Sequence, residues 1–330
     1  MITKNKKEGI KTMKIKNLKL IAAASVILVS SLFSKELAST SVSSKATQRV
    51  LNGENQSPGI SVLNINNIAY WIGKDGAYTT AGSPNGTMAD YPIFTGGFIY
   101  SDGMLWGAKV KGDGQGDEVR VGGSTYYHGL KAGRIITDAD GNVLGSDDPV
   151  NNHVWRVRKD YASADLTVDA ANYYAVGTGD VTAAQIAVVK NQYEYDWYNW
   201  PAAWGAPYHD VNGDGSYDPD VDVPGYPGAD QTMWTIANDV PLIVDAAGDS
   251  IGYSNTAPSL YGADPIGIEL QITLWGYAFG ASDPLGNNIF KQAKMKYMGL
   301  PDTPDGAMLD SLYFTQWSDP DLGTYTDDYV

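Results

Sequence analysis

Short apolar–polar alternations separated by Asp-Gly dipeptides restrict most strongly how this 330-residue chain can fold. Ile60, Val62, Ile68, Tyr70 and Ile72 keep even spacing, with a break near residues 64–67. Met104, Trp106, Ala108 and Val110 alternate again, as do Val119 and Val121, and Trp155 and Val157 alternate with Arg156 and Arg158. A period of two puts one row of side chains on a buried face and the other in water, as in antiparallel sheets. Lys74-Asp75-Gly76, Ser101-Asp102-Gly103, Gly112-Asp113-Gly114 and Asp140-Gly141-Asn142 punctuate the runs. Asp-Gly supplies the positive φ that tight hairpins need. Leu270, Ile272 and Leu274, then Ala293, Met295 and Tyr297, alternate on either side of the turn-like Asp283-Pro284-Leu285-Gly286-Asn287, which predicts a late hairpin. Residues 289–298 also fit a short helix, and periodicity does not separate the two. The expected fold is mainly β, with antiparallel β-sandwich-like regions rather than βαβ units.

One stretch breaks the pattern. Ile186, Val189, Tyr193, Trp197 and Trp200 fall at helical intervals, predicting a helix from Val181 to about Trp200, capped by Asp180 and stopped by Pro201. A second, weaker helix covers residues 163–174. Tyr193, Tyr195, Trp197, Tyr198, Trp200, Trp204 and Tyr208 crowd this region; flat rings suit sugar faces, but helical spacing favours a row buried beneath the sheet.

The first residues read as an address. Seven lysines between Lys4 and Lys19 precede an apolar run over residues 20–33, and Met13 is the more ordinary start. Fourteen residues fall short of the about 20 that span a bilayer, so residues 1–38 are expected to be a secretory signal and the mature chain to have no membrane span. That segment holds eight of the 23 basic residues and two of the 38 acidic ones, leaving 15 against 36, a net charge of −21. Such acidity excludes a phosphate-tracking nucleic-acid binder and suits an extracellular, cation-binding surface. Segment boundaries follow: a polar linker over 39–57, a β-rich domain over 58–160, a helical segment over 161–204, a calcium-loop segment over 205–240, and a second β-rich domain over 241–330, incomplete at its end.

Enzyme chemistry finds little purchase. With no cysteine, disulfides, thiolate metal sites and cysteine nucleophiles are excluded, and His128, His153 and His209 are the only imidazoles. Gly248-Asp249-Ser250-Ile251-Gly252 matches G-x-S-x-G, but no histidine follows it and the residues after it are not helical, so a hairpin turn is expected. No phosphate-binding glycine loop occurs, and no catalytic residue is assigned.

The strongest chemical signal is Asp210-Val211-Asn212-Gly213-Asp214-Gly215-Ser216-Tyr217-Asp218. Oxygen side chains stand at relative positions 1, 3, 5 and 9, with glycine at 6. Calcium takes six to eight hard oxygens, and such a loop wraps them around one ion. Ser216 would offer its carbonyl and Asp222 a closing carboxylate. An EF-hand needs Glu at position 12, where this chain has Val221, and Pro219, Pro224 and Pro227 forbid the exiting helix. A solvated turn is the alternative, but five carboxylates within 13 residues repel one another without a cation. Asp210, Asn212, Asp214, Ser216, Asp218 and Asp222 are therefore the expected calcium ligands. Asp138 and Asp140 read as a hairpin tip, and Asp319, Asp321, Asp327 and Asp328 form a weaker second acidic cluster.

This loop resembles those of dockerins and thrombospondin type 3 repeats. With its flanks, Trp204-Gly205-Ala206-Pro207-Tyr208 before it and Gly228-Ala229-Asp230-Gln231-Thr232-Met233-Trp234 after it, it is similar to the N-terminal region of large secreted surface proteins exported by type IX secretion. Gly103-Met104-Leu105-Trp106-Gly107-Ala108 and Gln316-Trp317-Ser318-Asp319 resemble further elements of that family. The resemblance implies surface display, calcium and a longer parent protein ending in a sorting domain. The expected function is a secreted calcium-binding surface protein with a structural or adhesive role, whose partner is an extracellular glycan or a surface protein. The alternative is a carbohydrate-binding or ancillary module of a polysaccharide-degrading enzyme.

Overall fold

The computed structural model describes residues 59–76, 83–136 except 84, 115, 117 and 128, then 152–240, 242–244, 250–253, 260–300 except 261 and 262, and 303–321. All lie in the compact unit Arg49–Val330. The leader, the linker, the turn carrying Asp138 and Asp140, His128, Asp327 and Asp328 fall outside them.

In chain order the strands are β1 (Ile60–Leu63), β2 (Ala69–Gly73), β3 (Ala89–Asp90), β4 (Gly97–Ile99), β5 (Ser101–Lys111), β6 (Val119–Gly123), β7 (Lys131–Ala132) and β8 (Trp155–Arg158). Two helices follow, α1 (Thr167–Tyr174) and α2 (Ala183–Tyr198). The chain then forms β9 (Tyr208–His209), β10 (Val223–Pro224), β11 (Gln231–Asn238), β12 (Leu242–Val244), β13 (Ser250–Tyr253), β14 (Ile268–Gly276), β15 (Phe290–Tyr297) and β16 (Met308–Asp319). All these strands pair antiparallel. One sheet has the order β1-β2-β3-β4 and another the order β16-β5-β6. The largest runs β15-β14-β11, with β8 and β7 sharing the far edge of β11. The fold is mainly β with a helical insertion, as the alternation predicts.

The segments drawn from the sequence do not divide the sheets. β5 pairs with β16 across about 200 residues, and β11 lies between β14 and β8. Local patterning identifies strands but carries no information about which distant strand supplies the partner.

β11 explains the layering, because all eight of its residues are buried. Met233 and Ala237 join Leu63, Tyr70, Ile72, Met104, Trp106, Leu270 and Ile272 in the main core. Trp234 and Ile236 point the other way and pack with Trp155, Val157, Trp200 and Ala206. Successive side chains of a strand leave on opposite faces, so a strand apolar on both needs a layer on each side. The sheets supply one layer. The segment that includes Trp200 and Ala206 supplies the other.

Several local expectations shift. Thr182 rather than Asp180 caps α2: its hydroxyl accepts the Gln185 N–H while the Gln185 side chain accepts the Thr182 N–H. Asp180 instead ends a 3-10 turn over Thr178–Asp180. Ser101-Asp102-Gly103 is not a hairpin turn but opens β5. Gly103 is needed there because the Ser124 carbonyl oxygen lies 2.1 Å from where a Cβ would stand. Residues 290–297 are strand, paired with β14 along its length, which decides between the two readings of that stretch. Ser250 opens β13, so a strand occupies the place where a nucleophile elbow requires a helix. Arg156 does not face water but is buried. The helical row is core in part: Val189, Tyr193 and Trp200 are buried and Ile186 and Trp197 half-buried, while Tyr195, Tyr198 and Trp204 stay exposed.

The double-sided burial of β11 gives a direct test. Trp234→Ala should lower the unfolding free energy by about 3–5 kcal/mol, read by chemical denaturation, because Trp234 packs against the layer opposite the main core.

Candidate functional site

The predicted ligand loop is the connection of a two-stranded ribbon. β9 and β10 pair through His209 with Val223 and Tyr208 with Pro224, bringing the two ends of residues 210–222 together. Within it the side chains satisfy backbone donors. Asp210 accepts the N–H of Gly213 at 2.6 Å and of Gly215 at 2.8 Å. Asn212 accepts the Asp214 N–H at 3.1 Å, and Asp214 accepts the Ser216 N–H at 2.8 Å. Gly213 and Gly215 have φ of 75° and 76°, the left-handed turns that let the chain curl around Asp210. Asp222 closes the base: it is buried, and its two oxygens accept the Val211 and Asp218 N–H groups, each at 2.9 Å.

The loop is also tied to α2. The Tyr217 hydroxyl donates to the Trp197 carbonyl and the Trp197 indole N–H donates to the Pro219 carbonyl at 3.1 Å. Burial, then the Asp222 and Asp218 carboxylates, push the Tyr217 phenol well above its ordinary range, which keeps it a donor. Of the six expected ligands, Asn212, Asp214, Ser216 and Asp218 are exposed, Asp210 is half-buried, and Asp222 is buried at the base, where its carboxylate accepts the Asp218 backbone N–H. Among the described residues no three Asp, Glu or His side chains stand in metal-holding geometry. Turn amides already engage the carboxylates. Each ionised carboxylate has about four lone-pair positions, so accepting an amide does not exhaust it.

Of the other acidic cluster, the described members Asp319 and Asp321 lie on the last strand and just beyond it. Asp319 accepts the Tyr126 hydroxyl, and the Asp321 N–H donates to the Phe98 carbonyl.

A small cleft of mixed polar and apolar lining carries little signal in the sequence pattern. Ser61, His153, Arg156, Tyr173, Gln192 and Asp196 line a cavity of about 110 Å³ where β8 meets α2. Asp196 is fully buried and receives three bonds: from the Arg156 N–H at 2.8 Å, from the Gln192 amide at 2.9 Å, and a contact with His153 Nε2 at 2.8 Å. The Asp196 carboxylate orients the imidazole. Both of its oxygens are committed, so the cluster works as a clamp of α2 onto β8. The only sequence signal was Gln192 and Asp196 four apart on one helical face.

No protein-family model, no curated protein and no solved structure matches the chain. Among the described residues no helix is long and apolar enough to cross a membrane.

Asp222→Ala should leave two N–H groups at the loop base without acceptors. Both donors are only part-buried, so each should cost the low end of the about 1–3 kcal/mol of an unsatisfied buried donor; the variant should lose about 2 kcal/mol by denaturant titration in calcium-free buffer, with protease cutting first between residues 205 and 225.

Proposed function

We propose that the chain is a secreted, calcium-binding surface protein with a structural or adhesive role, exported by the type IX route. The observation that carries this reading is the closed loop on the β9–β10 ribbon. It holds Asp210, Asn212 and Asp214 in successive side-chain-to-amide turns around two left-handed glycines, with buried Asp222 beneath. Calcium would be held by Asp210, Asn212, Asp214 and Asp218, with the Ser216 carbonyl and Asp222 completing the shell. The ion would cancel repulsion among carboxylates on a chain that is already strongly acidic. The basic and apolar leader supports export, and the absence of cysteine leaves a metal as the means of stapling a proline-rich loop.

Extracellular calcium modules bind with Kd of about 10⁻⁴–10⁻³ M. At ten times Kd the linkage contributes about 1.4 kcal/mol. Added calcium should therefore raise the melting temperature and protect residues 205–230 from protease, and Asp214→Ala should abolish both effects. Unchanged melting and proteolysis across a chelator-to-10 mM calcium titration (about ten times the weakest such Kd) would leave the loop a self-satisfied turn. Retention on polysaccharide that is lost in Trp204→Ala would favour the carbohydrate-binding alternative, since Trp204 is among the exposed rings.

A further inference from the structure

Three ionisable side chains occupy positions that strand alternation assigns to the main core. Asp102 stands on the β5 row that continues through Met104, Trp106, Ala108 and Val110, all buried. Lys291 stands on the β15 row that continues through Ala293, Met295 and Tyr297, which pack on that core. Tyr70 on β2 is itself a core residue. The three come from three different sheets and meet. The Tyr70 hydroxyl donates to Asp102 Oδ2 at 2.6 Å, and Lys291 Nζ lies 3.6 Å from the same oxygen. Gln316 on β16 fixes the amine from the other side, accepting from Lys291 Nζ at 2.8 Å. Asp102 Oδ1 is buried and has no hydrogen-bond partner. Polar groups at core positions are costly unless fully satisfied, and this cluster is not.

We propose that Lys291 and Asp102 condense into an intramolecular amide that covalently joins β15 to β5. The Lys291 Nζ lone pair attacks Asp102 Cγ, forming the C–N bond. The carboxyl hydroxyl leaves as water, taking the proton that the amine gives up. Nothing is oxidised or reduced, and one water is lost. The step requires a neutral amine and a protonated acid. Burial drives both groups that way, depressing the Lys291 ammonium to about 8 and raising the Asp102 carboxyl above its ordinary value. The Tyr70 O–H polarises the carboxyl that is attacked, and the 3.6 Å contact between Lys291 Nζ and Oδ2 holds the amine against that carboxyl, so the two reactants are fixed side by side. The product removes the charges of buried Asp102 and half-buried Lys291 and leaves an amide N–H beside the Gln316 oxygen. The amide ties the β15-β14-β11 sheet to the β16-β5-β6 sheet, a link that no other covalent bond can provide in a chain without cysteine.

Mass spectrometry of the purified full chain decides the matter. The folded protein should weigh about 18 Da less than its sequence, and digestion should yield one branched peptide linking Asp102 to Lys291. Lys291→Ala should restore the full mass and remove that peptide. Asp102→Asn should form the same bond with loss of ammonia, about 17 Da. If a substituted chain fails to fold, the wild-type mass and branched peptide still give the answer. Unmodified mass in folded wild-type protein after incubation at pH 8 would show an ion pair only and overturn the proposal.

Discussion

The Asp169 carboxylate on α1 fixes the helical layer to the sheet. One of its oxygens accepts from the Arg156 guanidinium at 2.6 Å and the other from Arg158 at 2.7 Å. Arg156 also donates to Asn64, after β1, at 2.7 Å, and lies over the ring of Tyr193 on α2. Tyr193 donates to Asp169, and Gln231 at the head of β11 donates to Tyr193 and accepts the Asn64 N–H. Thus β1, β8, β11, α1 and α2 meet at one buried polar node. Removing one partner of such a pair costs about 3–5 kcal/mol, because the charge left behind is neither solvated nor paired. α1 is only eight residues long and is not independently stable at that length. Its place in the structure comes from this node and from the apolar contacts of Leu166, Ala170 and Tyr174 with Val189 and Tyr193.

That node also explains what the sequence concealed. Arg156 and Arg158 sit at alternating positions beside Trp155 and Val157, and alternation assigns them to water. Asp169 lies 13 residues beyond Arg156 in an unremarkable helix. Nothing local marks the three as partners, because their pairing depends on how α1 folds back on β8. The same blindness hid Asp102 and Lys291, which stand at the ends of apolar rows on strands of different sheets. The legible features were those with short-range causes. The β5 alternation, the buried face of α2 and the curl of the Asp210 loop each arise from residues within a few positions of one another. The pairing of β5 with β16 does not.

The candidate site shows the same division. Composition and spacing located the loop and its glycine turns. They did not show that Asp222 is buried at its base, nor that Trp197 and Tyr217 lock the loop to α2. A loop held at both ends and along one side is preorganised, so a bound ion would have less backbone entropy to overcome. The His153–Asp196 clamp fastens the same helix to β8. The loop, α2 and the Asp169 node are thus joined by an unbroken chain of hydrogen bonds and packing.

Native-state hydrogen exchange on the wild type and Asp169→Asn tests this account most directly. If the buried node holds the helical layer, amides of α1 and α2 should lose protection by about two orders of magnitude, the equivalent of about 3 kcal/mol, while the β14–β15 ladder keeps its own. Unchanged exchange in both helices, or an equal loss throughout the sheets, would contradict it.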